Sequence, residues 1–311
     1  MDWLGVDGSV MATRAIHFAA ISVVTGTLVF RTVVAGPVLG SDALVADVFR
    51  TQTRRVIWIG LLVAAISGAI WLLLQAASMS GLPPGDTSVL LTMLQETQFG
   101  QVAEIRFATA ILLVACLALD GFTGANWVAT AAALGLVASL AWAGHAGATN
   151  GQAGDLHVAA DALHLCAAAA WIGGLLALLL FFATARRIRA PGGTILVAKA
   201  TKRFSMLGIA SVATLSATGI VNAWVLVGSL DALFGTGYGR LLLLKLAFFG
   251  AMLALAAINR FWLTPRLGFS SNGALRWLTR TSAIEFGLGL AVVTIVGMLG
   301  TLHPAIHLSG Q

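Results

Sequence analysis

The sequence predicts an all-α polytopic membrane protein with eight transmembrane helices and both termini periplasmic. Three observations carry that prediction. Of 311 residues, 59% are hydrophobic and only 10% charged, with a mean hydropathy of +0.93, whereas a soluble globular domain carries roughly 25% charged residues. Eight apolar segments approach the roughly 20 residues a helix needs to cross the hydrocarbon core. Finally, 14 of the 18 Lys and Arg residues fall in three of the links between those segments or in the last turn leading into them.

In chain order the segments run from Ala15 to Val34, Val56 to Ala77, Ala103 to Leu119, Trp127 to Ala143, Val158 to Ala185, Phe204 to Val227, Leu241 to Leu263 and Ala283 to Leu302. Helix is the expected state, because backbone polar groups in lipid must bond within the segment. The third and fourth segments are short and joined by a tight Asp120-Gly-Phe-Thr-Gly124 link. Gly and Ala inside the spans allow close helix packing. No internal repeat or long soluble segment stands out.

Basic residues orient the bundle. Link 1–2 holds Arg31, Arg50, Arg54 and Arg55. Link 5–6 holds Arg186, Arg187, Arg189, Lys199, Lys202 and Arg203, and link 7–8 holds Arg260, Arg266, Arg276 and Arg280. Only Arg14, Arg106, Arg240 and Lys245 fall elsewhere. By the positive-inside rule the three basic links are cytoplasmic. The pI near 10.3 therefore reflects topology and gives no reason to expect nucleic acid. Cys116 and Cys166 sit in apolar runs, which argues against a disulfide framework. The N-terminus carries Asp2 and Asp7 and lacks the basic region of a cleavable signal peptide. No nucleophile elbow, P-loop, dinucleotide fingerprint or zinc-protease motif is present, so an enzyme is not expected.

This orientation, derived without histidine, puts all six histidines at or near the outer side: His17, His145, His157, His164, His303 and His307. Eight of the twelve acidic residues join them, together with Met11, Met79 and Met93. Imidazole is the commonest metal ligand, and an acidic outer face attracts cations. The sharpest constellation is His157, Asp161 and His164, at i, i+4 and i+7 on one face of the fifth segment. Ionisable groups at such depth usually face a bundle interior or wet cavity. They read either as ligands for a metal or haem, or as a structural Asp–His hydrogen bond. Asp161 can ligate directly or orient a ligating imidazole.

His145 lies in Gly144-His-Ala-Gly147, where glycines permit a sharp turn over the fifth segment. With His157, Asp161 and His164 it forms the main expected metal site. His17, His303 and His307 are secondary candidates; the last two share a face only if the helix survives Pro304. A Cu(I) relay inward through Cys166, Met252, Cys116 and Met206 is a further expectation, because soft sulfur suits Cu(I). Buried Cys and Met are also ordinary packing residues.

Gly144-His-Ala, Asp161-Ala-Leu-His164 and Trp171-Ile-Gly-Gly-Leu175 resemble the signature of the CopD/PcoD copper-resistance membrane proteins. Arg203-Phe-Ser205, Thr218-Gly219, Tyr238-Gly239, Lys245 and Asn259-Arg260 are similar too. The resemblance spans nearly the whole chain, as one CopD-like transmembrane domain over residues 1–311, and is strongest over 140–265. It implies a multi-pass protein of the bacterial inner membrane that handles copper, proposed to move it across the membrane. It also implies a separate CopC-type periplasmic copper carrier as partner, beside the membrane lipid. His303 and His307 stand outside the family pattern. Two other readings stay open: a haem-binding or quinone-linked electron carrier, since paired histidines also hold haem iron, and a non-transporting copper sensor or scaffold.

Overall fold

The computed structural model describes residues 6–40, 43–119, 124–148, 151–188, 193–267 and 271–307. Eight helices in it are long and apolar enough to cross a membrane. They are α1 (Gly8–Leu39), α2 (Ala43–Ser80), α3 (Gln98–Ala118), α4 (Ala125–Ala143), α5 (Gly151–Ile188), α6 (Gly193–Val227), α7 (Gly237–Arg266) and α8 (Gly273–Leu299). Shorter helices Thr87–Glu96 and Leu230–Gly235 precede α3 and α7. The count matches the sequence expectation, and α3 and α4 are the two shortest spans. Most helices extend past the apolar segments, because helical geometry continues into the polar flanks. His157 therefore lies six residues inside α5. Most of the Asp120–Gly124 link is outside the described residues.

α1 and α5 are the most buried spans, whereas α3 and α7 face outward. α5 packs chiefly on α6 and α1, and α1 also packs on α2. The α1–α5 crossing is close because two glycines meet. A Cβ on Gly26 would fall 2.5 Å from the Cα of Gly173. Gly174 in turn admits the Phe204 ring, 2.7 Å from where a Cβ would stand. Half of the Trp171-Ile-Gly-Gly motif is thus close helix packing. At the arginine-rich end, Phe30, Phe49, Phe181 and Phe204 interlock, with centroids 5.3–6.2 Å apart.

Two wide π-helical turns, Phe30–Ala35 in α1 and Asn259–Leu263 in α7, each precede a proline, Pro37 and Pro265. Proline removes a backbone donor and crowds the carbonyl four residues back. A widened turn accommodates both effects, and such turns are frequent at functional sites.

Candidate metal site

α5 and α6 run antiparallel and share a polar seam in their histidine-bearing half. Asn222 Nδ2 donates to Asp161 Oδ1 at 3.1 Å. One turn along, His164 Nδ1 lies 2.9 Å from Thr218 Oγ1. The Thr218 hydroxyl already donates to the Thr214 carbonyl at 2.6 Å. Its oxygen must therefore accept from His164, which places the imidazole proton on Nδ1. Nε2 then carries a lone pair, the arrangement typical of a ligating histidine oriented by its other ring nitrogen. On the Asn222 side chain that holds Asp161, Oδ1 is a buried acceptor with no hydrogen-bond partner. A cation, unlike an anion, satisfies such an oxygen. From α7, Lys245 interacts electrostatically with both Asp161 and His164, and the buried Tyr238 also feels the Asp161 charge.

His157 is 1% exposed on the same face of α5, a turn beyond Asp161. The turn expected at Gly144–Gly147 is present. α4 tightens to a 3-10 turn over Ser139–Ala143, Gly144 is extended, and a second 3-10 turn spans His145–Ala148. Gly147 is obligatory there, since a Cβ would stand 2.5 Å from the Trp142 carbonyl oxygen. The His145 side chain lies outside what the structure describes. Among the described residues, no three His, Cys, Asp or Glu gather closely enough to hold a metal ion by themselves. The α5 face supplies Asp161 and His164 side by side, with the Asn222 oxygen as a third donor.

His17 occupies a different environment. Its Nδ1 donates to the Ala64 carbonyl at 3.0 Å and lies 3.1 Å from Ser67 Oγ, while its ring packs 5.6 Å from Trp71. Arg14 and Arg106 stand 5.0 and 5.5 Å from that indole, and both act on His17 electrostatically. Arg106 is anchored on Ser139, through Nε to Oγ at 3.0 Å and Nη2 to the carbonyl at 2.9 Å. No acidic side chain is among the described groups that act on these arginines. His17 joins α1 to α2 beside two cations.

The tail histidines do not share a helical face. α8 ends at Leu299, His303 is exposed in an irregular stretch, and His307 begins no further turn of α-helix but closes the 3-10 segment Ala305–His307. Pro304 lacks the N–H that would continue the ladder. The His307 side chain lies outside the described residues. Both cysteines are free thiols. Cys166 turns to α4, donating to the Leu134 carbonyl at 3.5 Å. Cys116 packs against a separate cluster containing Leu113, Leu117 and Ala133. Met252 is a buried core residue and Met206 is 57% exposed.

Three residues of this seam and its continuation had no role assigned from the sequence. Asn222 and Thr218 sit in an evenly apolar helix, and nothing local shows that they face His164 and Asp161. Glu285 had a visible signal, being the one acid within the eighth apolar segment, where a carboxylate is expensive. It is 2% exposed and accepts from Trp171 Nε1 at 2.8 Å and Asn259 Nδ2 at 3.1 Å. Trp171 lies seven residues beyond His164, on the same helical face and about 10 Å further along the axis.

Comparison with known proteins adds names to this geometry. Residues 5–155 match the family described as "Copper resistance protein D-like, N-terminal domain", and residues 198–299 match "Copper resistance protein D". The chain is 30% identical over 94% of its length to the inner membrane protein YebZ of Escherichia coli, covering 98% of that protein. It is 30% identical over 83% of its length to the copper resistance protein D of Pseudomonas syringae pv. tomato, covering 85% of it. Identity to the copper transport protein CutJ of Bacillus subtilis is 28% over 94% of this chain, which spans 52% of CutJ. No solved structure matches.

Proposed function

We propose, since this chain belongs to the copper resistance protein D family, that it binds copper in the α5–α6 seam and carries it across the inner membrane. It is a multi-pass inner-membrane protein related to copper handling. In this reading His164 Nε2 is the central ligand, with Asp161 and the Asn222 oxygen beside it. His157 and His145 complete the site toward the face where copper arrives. That face is periplasmic, following the basic residues gathered at the opposite end, and a CopC-type carrier delivers the metal there.

The observation that carries the proposal is the hydrogen-bond relay His164–Thr218–Thr214, which leaves a lone pair on Nε2 in the same seam as the unpartnered oxygen of Asn222, itself bonded to Asp161. Imidazole with oxygen donors suits Cu(II). The name of the Bacillus relative, a copper transport protein, supports transport over sensing. The test uses vesicles carrying the purified protein. Copper accumulation should require His164 and Asp161, and wild-type vesicles that bind copper without accumulating it would leave a sensor or scaffold. A Soret band in the purified protein would instead mark a haem carrier.

A further inference from the structure

The arginine-rich half of the same seam contains a cavity of about 370 Å³ between α5, α6, α7 and α8, within the usual range for small-molecule sites. Its walls are mostly apolar, including Trp171, Leu175, Phe204, Ile209 and Leu253. α6 and α7 barely touch, and the lining residues Ile209 and Phe261 are 46% and 67% exposed. The cavity therefore opens sideways, toward acyl chains. Gly208 faces the void, with nothing within 4 Å of where a Cβ would stand.

A carboxyl group and a guanidinium line this one space. Glu285 is held by Trp171 and Asn259, both neutral donors. Arg260 Nη1 donates to Ser205 Oγ at 2.6 Å. Among the described residues their hydrogen bonds go to different partners, so a bound head meets the two groups separately. A buried charge without a counter-charge is costly. The basic residues Lys202, Arg203 and Arg280 flank the lining segments. Arg280 precedes Glu285 by five residues, about 7.5 Å along α8, so the polar end sits near the headgroup level of that leaflet.

We propose that this cavity binds one molecule of a zwitterionic phospholipid with a primary ammonium head. The phosphate lies on Arg260 and Ser205, and the ammonium points to Glu285. One acyl chain fills the slot past Gly208, Val212 and Leu253. An anionic head brings no donor to Glu285, and a quaternary ammonium has no N–H for its oxygens. The site goes beyond the copper reading and does not depend on it.

The test is native mass spectrometry of the protein extracted from nanodiscs with equal parts phosphatidylethanolamine, phosphatidylglycerol and phosphatidylcholine. One phosphatidylethanolamine should remain bound per chain. Glu285→Gln and Arg260→Gln should each weaken retention at least tenfold. Gly208→Leu, which fills the slot without touching a polar group, should exclude the lipid while the melting temperature stays near wild type. Soluble glycerophosphoethanolamine should not displace it. Retention of phosphatidylglycerol or phosphatidylcholine in its place, displacement by the soluble head, or no retained lipid on the wild-type protein would each overturn the proposal. Because the wild-type comparison alone decides the headgroup, a polar variant that fails to fold leaves the test intact.

Discussion

Two intramembrane histidines sit in opposite electrostatic surroundings. His17 and His164 both lie in long apolar helices and both are bonded through Nδ1. Around His17, at the α1–α2 corner, stand Arg14, Arg106 and Trp71, with no acidic side chain among the described groups acting on it. Around His164, in the α5–α6 seam, stand Asp161, an unpartnered Asn222 oxygen and, as the single cation among the described groups acting on it, Lys245. A metal cation meets two positive neighbours at the first and a balanced pair with donor oxygens at the second. On the proposed reading, charge in the surroundings, more than the imidazole itself, separates a packing histidine from a ligand.

Several substitutions can break or sharpen this contrast. His164→Ala removes the central ligand and should weaken copper binding by more than about 100-fold, beyond the 10–100-fold typical of supporting groups; equilibrium competition against a chromophoric chelator measures it. Asp161→Asn keeps the shape and the Asn222 contact but removes the charge, and should cost about 10–100-fold in the same assay. Thr218→Val leaves the ring in place while freeing its tautomer. A loss near the lower end of that range, about tenfold, is expected, with copper EPR parameters altered. His17→Ala should leave copper affinity unchanged and instead destabilise the helix pair by about 1–3 kcal/mol, the scale for stranding buried polar partners, read as a lower melting temperature.

The smallest effect belongs to the exposed cap of Thr87–Glu96. The Ser88 hydroxyl, with the Val89 and Ser88 backbone N–H groups, holds the Asp86 carboxyl below its ordinary value. A depressed carboxyl pKa contributes stability above its unfolded value, and that contribution is lost as pH falls through the folded one. Amide protection factors in residues 87–96, referenced to the intrinsic exchange rate at each pH, should therefore fall on acidification, and Asp86→Asn should flatten the dependence.

Much of this contrast was written in local pattern. The eight spans followed from apolar length. The i, i+4, i+7 stripe placed Asp161 and His164 on one face before any neighbour was known, and the glycines around His145 announced their turn. What stayed hidden was non-local. Nothing near His17 shows that Arg106, 89 residues later in sequence, shares its corner. Nothing in the even apolarity of α6 shows that Thr218 and Asn222 turn toward α5. The sulfurs of the expected relay step inward in a linear reading; in the fold Cys166 turns to α4 and Met206 to the surface, because depth along a helix says nothing of azimuth. Glu285 was readable as a lone acid in an apolar span, but its purpose needed Trp171 and Asn259 from two other helices.

The most direct measurement sets the two histidines side by side. Copper affinity is determined for wild type, His164→Ala and His17→Ala in the same lipid nanodiscs. The account predicts a loss of more than about 100-fold for His164→Ala and wild-type affinity for His17→Ala. Equal losses in both variants, or undiminished binding in His164→Ala, would contradict it.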